Sequence, residues 1–475
     1  MPGDVDLEAF RQEGHRLIDW IARYLTAGER HPVLSRLRPG ELRAALPASP
    51  PERGEPLSAI LEDVERQVLP GLTHWNHPSF FAYFATSSSA PGILGELLSA
   101  AFNVNGMLWR TSPAATELEM VALDWLRQLL GLPSGLFGVI QDTASASTLV
   151  ALTAAREAVP GLEVRRRGFG SARLRMYASE EAHSSIEKAG IVLGIGQEGL
   201  RKIPVDGDYR MDVSALARAV AEDRAAGLVP FAVTATVGTT STTSVDPVPA
   251  IAEVCAREGL WLHVDAAYGG AAAVLPERRS VLEGCERADS LVVNPHKWLF
   301  VPIDLSALYT RRPDVMRAAF SLVPDYLRTP EDALAPNLMD YGVSLGRRFR
   351  ALKLWMVLRA FGREGIVERL REHLRLAALF RAWVEAEEGF EVVAPTPFSV
   401  VCFRAFLTGG SDAEADRLND EVMQAVNAGG EAFLSSTRLH GRTVLRLAVG
   451  NLRTEERHVR RAWELLRAEA ARRRS

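Results

Sequence analysis

A lysine follows directly after a strand-forming run in the segment SLVVNPHKWLF, residues 290–300. Lys297 lies just beyond Asn294 and Pro295, where that run ends. A lysine beside a buried strand loses hydration, and burial favours its neutral amine. A neutral amine is a nucleophile that forms a Schiff base with a carbonyl compound. The alternative is a side chain that extends along its aliphatic stem to the surface, and this segment alone leaves both interpretations open.

An aspartate ends a second apolar run, in the segment WLHVDAAYGG. A carboxylate at the end of a buried strand needs a cationic or hydrogen-bonding partner, and a protonated pyridine nitrogen is one such partner. Asp265 would keep an aromatic ring cationic there, and a cationic ring withdraws electrons strongly. Ala266 and Ala267 are small enough for a flat ring to approach. The alternative is that Asp265 caps the following helix.

A strand, a turn rich in small hydroxyl residues and a helix are predicted for GVIQDTASASTLVALTAAREAV, residues 138–159. Exposed N–H groups at the start of a helix bind anions, and phosphate is the natural ligand of such a site. Thr143, Ser145 and Ser147 add hydroxyl groups to this turn. An ordinary N-cap has a similar sequence, so the turn is weak evidence when taken by itself.

Polar residues follow two further predicted strands. In SEEAHSSIEKAG, His183 could stack on a flat cofactor, although a lone histidine is more often a helix cap or a core residue. In TATVGTTSTTSVDP, Thr240 could bind a phenolic or phosphate oxygen and Asp246 could orient its neighbours. The alternative for this second segment is a Ser/Thr turn.

The segment after Ser321, LVPDYLRTPEDALAPNLMDYG, contains three prolines and is predicted to be a long loop. A loop of this length in a compact domain is more often a functional lid than a simple connection. Tyr326 is then a candidate acid that the loop delivers when it closes.

The elements that position these residues are predicted by hydrophobic patterning. From about residue 86 to 375, β-branched runs alternate with helical stretches; the runs are MYAS, FAVTATV, WLHVDAA, SLVVN and SALYT. This alternation predicts a mostly parallel sheet covered by helices. Residues 376–475 contain helical patterns and the strand patterns EVVAP, FSVVCFRAF and TVLRLAV, which predict a small α+β C-terminal domain.

The N-terminal segment, residues 1–85, carries helical patterns at 5–28 and 57–69. The Pro-rich stretch LPASPPERGEP between them must be a loop. Helices of this kind cannot bury their apolar faces alone, so we expect the segment to pack on something else, such as a second subunit.

The composition is that of an ordinary globular protein. The chain has 475 residues, a formal net charge of −4, 47% hydrophobic and 24% charged residues, so we expect no nucleic-acid partner. Cys255, Cys285 and Cys402 have no C-x-x-C spacing, and neither a disulfide framework nor a metal site is expected. The start MPGDVDLEAF lacks an apolar core, and no stretch approaches the roughly 18 apolar residues of a membrane helix. We therefore expect a cytoplasmic protein.

Four motifs in this order resemble a known family. They are H-W-N-H-P-S-F-F-A-Y-F at residues 74–84, A-H-S-S around His183, H-V-D-A-A-Y around Asp265 and N-P-H-K-W around Lys297. The sequence resembles the group II pyridoxal-5′-phosphate (PLP) decarboxylases, and within them the aromatic-L-amino-acid decarboxylases. The resemblance extends to LRLAVGNLRTEERHVRRAWE at residues 445–464 and so covers nearly the whole chain.

The resemblance implies a fold-type I PLP enzyme with a mostly parallel, seven-stranded-type sheet. It implies a homodimer with the active site at the subunit interface. In that family pattern Lys297 holds the cofactor covalently, Asp265 pairs with the pyridine nitrogen, His183 stacks on the ring and Ala267 lies against the other face. Tyr326 matches the loop tyrosine that protonates the substrate carbon.

Further positions are implied only by the resemblance. For the phosphate and its surroundings they are Thr143, Ala144, Ser145, Asn294, His296 and Thr240. For the substrate pocket they are Tyr83, Phe84, Thr86 and Gly346, with Asn105 and Met107 lent by the other subunit. A small residue at Gly346 leaves room for indole as well as phenol rings.

The sequence departs from the animal members of the family at four positions. Asp142 stands where they have glycine, and an acid beside a phosphate site is unfavourable unless it points away. Asn105 replaces an apolar residue, Arg110 a small one, and Ala85 a proline. These changes leave the preferred amino acid open, although the cofactor assignment does not depend on them.

The favoured function is decarboxylation of an aromatic L-amino acid to its amine and CO2. An aldehyde synthase of the same family is an alternative, but that activity tends to follow loss of the loop tyrosine or the stacking histidine, and Tyr326 and His183 are both present. Arg110 could serve an acidic substrate, which keeps aliphatic or acidic amino acids open. An aminotransferase rarely carries N-P-H-K-W, and a non-catalytic scaffold would be expected to lose Lys297, Asp265 or His183.

Overall fold

The computed structural model describes residues 5–322 and 330–474. The chain forms two compact units. We call Met1–Ala85, Val384–Glu391 and Arg404–Ser475 the terminal unit, and Thr86–Trp383 with Val392–Phe403 the central unit. This division groups the N-terminal segment with the C-terminal residues, whereas the sequence pattern suggested three separate segments.

A seven-stranded sheet forms the middle of the central unit, in the order β1-β7-β6-β5-β4-β2-β3. Its strands are β1 (Phe137–Gln141), β2 (Leu174–Ser179), β3 (Leu200–Ile203), β4 (Val229–Thr236), β5 (Trp261–Asp265), β6 (Ser290–Val293) and β7 (Ser306–Thr310). All neighbours pair in parallel except β7, which runs antiparallel to both β6 and β1. The mostly parallel sheet predicted from the sequence is confirmed.

Helices in the chain segments that connect the strands cover the sheet. The central unit contains α4 (Ala90–Phe102), α5 (Pro113–Leu130), α6 (Ala144–Glu157), α7 (Val164–Arg167), α8 (Ser184–Val192), α9 (Val213–Ala225), α10 (Val248–Glu258), α11 (Pro295–Trp298), α12 (Pro313–Phe320) and most of α13 (Ala351–Ala386). The strands β5 and β6 are buried along their whole length, as expected for parallel strands with helices on both faces. Helix α6 buries most of its residues, so its N-terminus is held firmly at the sheet edge.

The terminal unit contains α1 (Leu7–Ala27), α2 (Glu41–Ala45), α3 (Leu57–Asp63), α14 (Asp412–Gly429) and α15 (Glu456–Arg474). A π-helical turn, Val64–Val68, extends α3, so both predicted N-terminal helices are confirmed. The remaining strands are β8 (Phe390–Val392), β9 (Val400–Ala405), β10 (Ser435–Leu439) and β11 (Arg442–Ala448), in the sheet order β10-β11-β9-β8. The small C-terminal α+β arrangement is therefore also confirmed.

Among the described residues, no helix combines the length and the apolar character needed to cross a membrane. Within residues 5–322 and 330–474, no group of three or more His, Cys, Asp or Glu side chains is arranged to hold a metal ion.

A buried histidine in the terminal unit makes stability depend on pH. His77 is 5% exposed, and its Nδ1 accepts a hydrogen bond from Ser79 N at 2.9 Å. Burial, with a smaller contribution from the neighbouring His458, lowers the pKa of His77 to about 4. A histidine with a depressed folded-state pKa contributes stability that is present above pH 6.5 and is lost as the pH falls towards 4.

We therefore expect His77→Asn to reduce the acid sensitivity of the fold, because the asparagine oxygen can still accept the Ser79 N–H. The loss of unfolding free energy between pH 6.5 and 4 should shrink by at most about 3 kcal/mol. Urea unfolding at several pH values measures this difference, with His15→Asn, at an exposed histidine of α1, as the control. Equal acid sensitivity in the wild type and His77→Asn would contradict the assignment.

Candidate active site

The predicted site residues follow the carboxyl ends of five strands at one edge of the large sheet. Because β2, β4, β5 and β6 are parallel neighbours and β1 has the same direction, the segments that follow them emerge at the same edge. Ligands of open α/β sheets bind at this edge. The site is therefore a product of the sheet topology, which brings together segments far apart in sequence.

Asp265 and Lys297 are fixed next to each other by backbone pairing that continues beyond the strands. Asp265, the last residue of β5, pairs in register with Val292 of β6. Past the strands, Asn294 N donates to Ala267 O at 3.0 Å, and Lys297 N donates to Asn294 O at 2.9 Å. These bonds hold the turn that carries Lys297 against the turn that follows Asp265.

The electrostatics of the pair favour a neutral lysine amine. Burial lowers the pKa of Lys297, while the carboxylate of Asp265 offsets part of this effect. Asp265 is 5% exposed, and its Oδ1 accepts a hydrogen bond from Ala267 N at 3.1 Å. Lys297 is half-buried, and its desolvated amine lies close enough to Asp265 for the two charges to interact.

His183 takes the helix-cap role weighed for it from the sequence. It is the N-cap of α8, where its Nδ1 accepts from Ser185 N at 3.1 Å and contacts Ser185 Oγ at 2.8 Å. Its ring is nevertheless exposed at the sheet edge. Burial lowers the pKa of His183, Asp265 raises it and Lys297 lowers it, so the three groups form one electrostatic cluster.

The turn after β1 has the geometry of an anion site. Thr143 is the N-cap of α6 and accepts from Ala146 N at 3.5 Å, while Ala144 and Ser145 form the first helical turn. The side chain of Asp142 folds towards the N-cap residue, and its Oδ1 accepts a hydrogen bond from Thr143 N at 2.6 Å. The acid that departs from the family pattern thus binds the backbone beside the helix start.

Asn294 and His296 add polar groups at the same edge. Asn294 is 2% exposed, and its buried Oδ1 has no hydrogen-bond partner among the described residues. A buried amide without a partner is costly, so a ligand at this place would stabilise it. His296 accepts from Leu305 N at its Nδ1 (3.0 Å), which puts its proton on Nε2 as a donor. Burial lowers the pKa of His296 to about 4, so that donor is neutral.

The turn that carries Thr240 is anchored by a buried carboxylate. Thr240 is exposed after β4, and Asp246 lies on the returning strand segment. The two oxygens of Asp246 accept from Met211 N and Thr236 N, each at 2.8 Å. Burial raises the pKa of Asp246 to about 6. The prediction that Asp246 orients its neighbours agrees with these contacts.

Three predicted pocket residues form one cluster within the central unit. Asn105 Nδ2 contacts Met107 Sδ at 3.6 Å, and Asn105 Oδ1 accepts from Arg347 N at 2.9 Å. A Cβ added to Gly346 would lie 3.8 Å from Asn105 Nδ2, with no closer neighbour. We call Asn105, Met107 and Gly346 the Gly346 cluster. It adjoins a cavity of about 230 Å³ that also reaches Asp142.

The other predicted pocket residues are divided between the two units. Tyr83 and Phe84 belong to the terminal unit, where Tyr83 N donates to Ser435 Oγ at 3.1 Å and Phe84 lies under the Arg446 guanidinium at 5.4 Å. Thr86 begins the central unit and is half-buried. Tyr326 lies outside the described residues.

Several supporting residues were not predicted from the sequence. Arg347 forms a buried ion pair with Glu119 at 2.7 Å and donates to Ile140 O at 2.8 Å, while Glu119 accepts from Ile140 N. This pair fixes the end of β1 before the anion-binding turn. Thr236 has a buried hydroxyl with no hydrogen-bond partner among the described residues, and Thr236 pairs with Asp265. Glu119 and Arg347 are 228 residues apart, so no local sequence pattern could have related them.

The fold and these residues together define a class of protein. A lysine of lowered pKa beside a carboxylate, a helix N-terminus with hydroxyl groups and a buried amide oxygen without a partner among the described residues fit a carbonyl cofactor that carries a basic ring nitrogen and a phosphate. PLP has all three features.

The comparisons with known proteins agree with this class. The pyridoxal-dependent decarboxylase conserved domain matches residues 39–406. The chain is 42% identical to phenylacetaldehyde synthase of Arabidopsis thaliana, over 98% of this chain and 97% of the synthase. It is 42% identical to tryptophan decarboxylase 2 of Oryza sativa subsp. japonica, over 98% and 95% of the two chains. The protein therefore belongs to the PLP-dependent decarboxylase family, and its cofactor is PLP.

A solved structure extends the similarity to the fold. The crystal structure of Oryza sativa TDC with PLP and tryptamine matches with a TM-score of 0.95 and 40% sequence identity, and the match covers 100% of both chains. The resemblance inferred from the four sequence motifs is thereby confirmed.

Proposed function

We propose that the protein decarboxylates an aromatic L-amino acid to the corresponding amine and CO2. The observation that carries this proposal is the desolvated Lys297 amine beside Asp265 at the edge of a PLP-type fold. The relatives named above include a decarboxylase named for an aromatic amino acid and a synthase named for an aromatic aldehyde. The site residues of this chain favour the decarboxylase.

Each part of the cofactor has candidate partners in this chain. Lys297 would hold its aldehyde carbon, and Asp265 would hold the proton of its ring nitrogen. The first turn of α6 with Thr143, Ala144 and Ser145, assisted by Asn294 and the Nε2–H of His296, would bind the phosphate. Bound PLP supplies an electron sink for the pair that the departing carboxylate leaves behind.

The lysine and aspartate act through their protonation states. The lowered pKa of Lys297 favours its unprotonated amine, which would hold the cofactor's carbonyl carbon and give way to the substrate amine. Asp265 has a buried carboxylate that stabilises a cation, so a ring nitrogen beside it stays protonated. The same carboxylate opposes full neutralisation of Lys297, which leaves the amine able to accept a proton during the exchange.

His183 and Ala267 position the reacting atoms. The contacts of His183 to Ser185 fix the imidazole plane, and its exposed face can stack on a flat ring. Ala267 is small and buried, and its backbone is tied to Asn294. A ring held between these two residues has a fixed orientation, so the substrate's carboxylate bond can be kept perpendicular to the ring plane. Orientation of this kind accounts for much of the rate enhancement in such enzymes.

The sequence favours protonation of the substrate carbon over its oxidation. Tyr326 and His183, whose loss accompanies aldehyde formation in the family, are both present. We propose that the Tyr326 hydroxyl donates the proton to the carbon that has lost CO2.

The contacts of Arg110 argue against an acidic substrate. Its guanidinium lies 3.6 Å from Glu331 Oε2, so its charge is already partly balanced. The Gly346 cluster, by contrast, contains no charged side chain, and its glycine leaves space for a bulky ring. These features support an aromatic side chain.

We further propose a homodimer in which the Gly346 cluster serves the partner's site. Helix α1 buries none of its residues, and Leu94, Leu97, Leu98 and Phe102 on α4 are 39–57% exposed. Contiguous exposed apolar residues on helices mark association surfaces. The three cysteines are free and buried, which is compatible with a reducing compartment such as the cytoplasm.

The role of the lysine is tested by Lys297→Ala. We expect the purified variant to lose the visible absorbance of covalently bound cofactor and to show no measurable turnover, because no amine remains to bond the aldehyde. Absorbance spectroscopy and CO2 release measure the two effects. Lys202→Ala, at an exposed lysine of β3, is the control and should keep both properties. Unchanged activity in Lys297→Ala would disprove the assignment.

The role of Tyr326 is tested by Tyr326→Phe. Without the hydroxyl, amine formation should fall by roughly a hundredfold, the usual contribution of a general acid. The substrate should instead react with O2 and water to give aldehyde, CO2, ammonia and hydrogen peroxide. Amine, aldehyde and peroxide are measured in the same reaction. A variant that makes only amine at the wild-type rate would exclude Tyr326 as the proton donor.

The shared site is tested by mixing two inactive variants. Lys297→Ala removes the nucleophile, and Gly346→Trp fills the Gly346 cluster. If the cluster serves the partner's site, a mixed dimer has one intact site, because the Gly346→Trp subunit keeps Lys297 and receives an intact cluster. Activity should then appear on co-expression of the two variants. Inactive mixed dimers, verified by tags on each subunit, would mean that each cluster serves its own subunit.

A further inference from the structure

A second cavity lies at the opposite edge of the large sheet. Its volume is about 550 Å³, which is within the range of small-molecule sites. It is lined by the amino ends of β4 and β5, the end of α6 and the segment that follows β7. The proposed catalytic residues follow the carboxyl ends of the same strands, so this cavity is separate from the PLP site.

The lining of this cavity carries an excess of positive charge. Arg224, Arg287, Arg311 and Arg312 line it, together with one acid, Asp289. Each guanidinium has five N–H donors and stays protonated under all physiological conditions. Four converging guanidinium groups therefore create a strongly anion-attracting space.

The ion pairs of these arginines are long. Arg311 reaches Asp289 Oδ1 at 3.4 Å, and Arg312 reaches the same oxygen at 3.9 Å. Arg287 lies 3.9 Å from Glu253, while the other oxygen of Asp289 accepts from Leu262 N at 2.9 Å. One carboxylate oxygen is thus shared by two arginines, and most of their donors are not used by acids among residues 5–322 and 330–474.

Arg224 is the fourth arginine. It donates to Glu258 O at 2.5 Å and lies 3.5 Å from the Glu258 carboxylate, which also binds Arg257 at 3.0 Å. Its ionic partner is therefore shared as well.

The arginines of another basic cavity form shorter ion pairs. A space of about 450 Å³ in the terminal unit is lined by Arg457 and Arg461 among others. There Arg457 holds Glu29 through bonds of 2.6 and 2.7 Å, and Arg461 holds Glu431 through bonds of 2.8 and 3.0 Å. Those arginines are neutralised by bidentate pairs, so the cavity at the sheet edge is the stronger anion site.

The floor of the sheet-edge cavity is apolar. Phe231, Leu260 and Trp261 line it and are each at most 6% exposed. The guanidinium of Arg312 lies 5.1 Å from the Trp261 ring centroid, which fixes it at the border between floor and rim. A ligand that fits must place a flat apolar group against this floor and a negative charge near the arginines that line the cavity.

We propose that this cavity binds an aromatic phosphomonoester, that is, a ring with a dianionic phosphate. A phosphate carries nearly two charges at neutral pH and accepts bidentate hydrogen bonds from arginine. Arg311, Arg312 and Arg287 bind the phosphate, and the ring lies over Phe231 and Trp261. The proposal is independent of the catalytic function, since it concerns the other edge of the sheet.

The test measures binding of phenyl phosphate to the PLP-loaded enzyme by isothermal titration calorimetry. Unbound PLP is removed beforehand, because the bound cofactor already fills the catalytic phosphate site and free PLP is itself an aromatic phosphomonoester that would compete for the cavity. Arg312→Gln and, on a different element, Arg287→Gln should each weaken binding at least about tenfold, the effect of losing a charge-assisted hydrogen bond. Arg218→Gln, at an exposed arginine of α9 outside the cavity, should leave binding unchanged. Cofactor absorbance and circular dichroism verify that each variant is folded.

Inorganic phosphate and benzoate are the companion ligands. Tighter binding of phenyl phosphate than of either one supports a site for both ring and dianion. Equal binding of inorganic phosphate would reject the aromatic part of the proposal. No binding of phenyl phosphate, or binding unaffected by both Arg312→Gln and Arg287→Gln, would overturn the site itself. None of these outcomes depends on turnover, so failure here is distinct from failure of the decarboxylase assignment.

Discussion

Lys297 and Asp265 are held together at low exposure by a continuous set of backbone hydrogen bonds that begins in β5 and β6 and continues past both strands. These bonds fix the backbone positions from which the two side chains extend. Burial lowers the pKa of the Lys297 amine, and the carboxylate of Asp265 offsets part of that effect. The chemistry of the site depends on this balance between desolvation and charge attraction.

The rest of the central unit holds the other groups in place around that pair. The buried Arg347–Glu119 ion pair binds both backbone groups of Ile140, and α6 begins four residues later, after the turn that carries Thr143. A buried ion pair adds little net stability but strongly favours one arrangement, since removal of either partner leaves an unpaired charge. The turn proposed to bind the phosphate is therefore anchored by this ion pair before any ligand arrives. Such preorganisation reduces the cost of binding.

The residues that could be predicted from the sequence are those whose environment is set by neighbouring positions in the chain. Lys297 and Asp265 each end a buried run, so burial and charge could be judged from a few neighbouring residues, and the alternation of runs and helical stretches gave the mostly parallel sheet. The strand β3, LRKI, was missed because three of its four residues are exposed or half-buried and it lacks an apolar run. The Gly346 cluster and the Arg347–Glu119 pair join residues more than 200 positions apart, and only the folded chain brings them together. The shared use of Asp289 by two arginines has the same origin.

The most direct measurement is an end-point assay of the PLP-loaded protein in air with tryptophan, tyrosine, phenylalanine, dihydroxyphenylalanine, glutamate and valine as separate substrates. Amine, aldehyde and CO2 are quantified together. We expect amine and CO2 in equal amounts from at least one aromatic substrate, with little aldehyde. Aldehyde with hydrogen peroxide as the main products, or turnover of glutamate or valine alone, would contradict it.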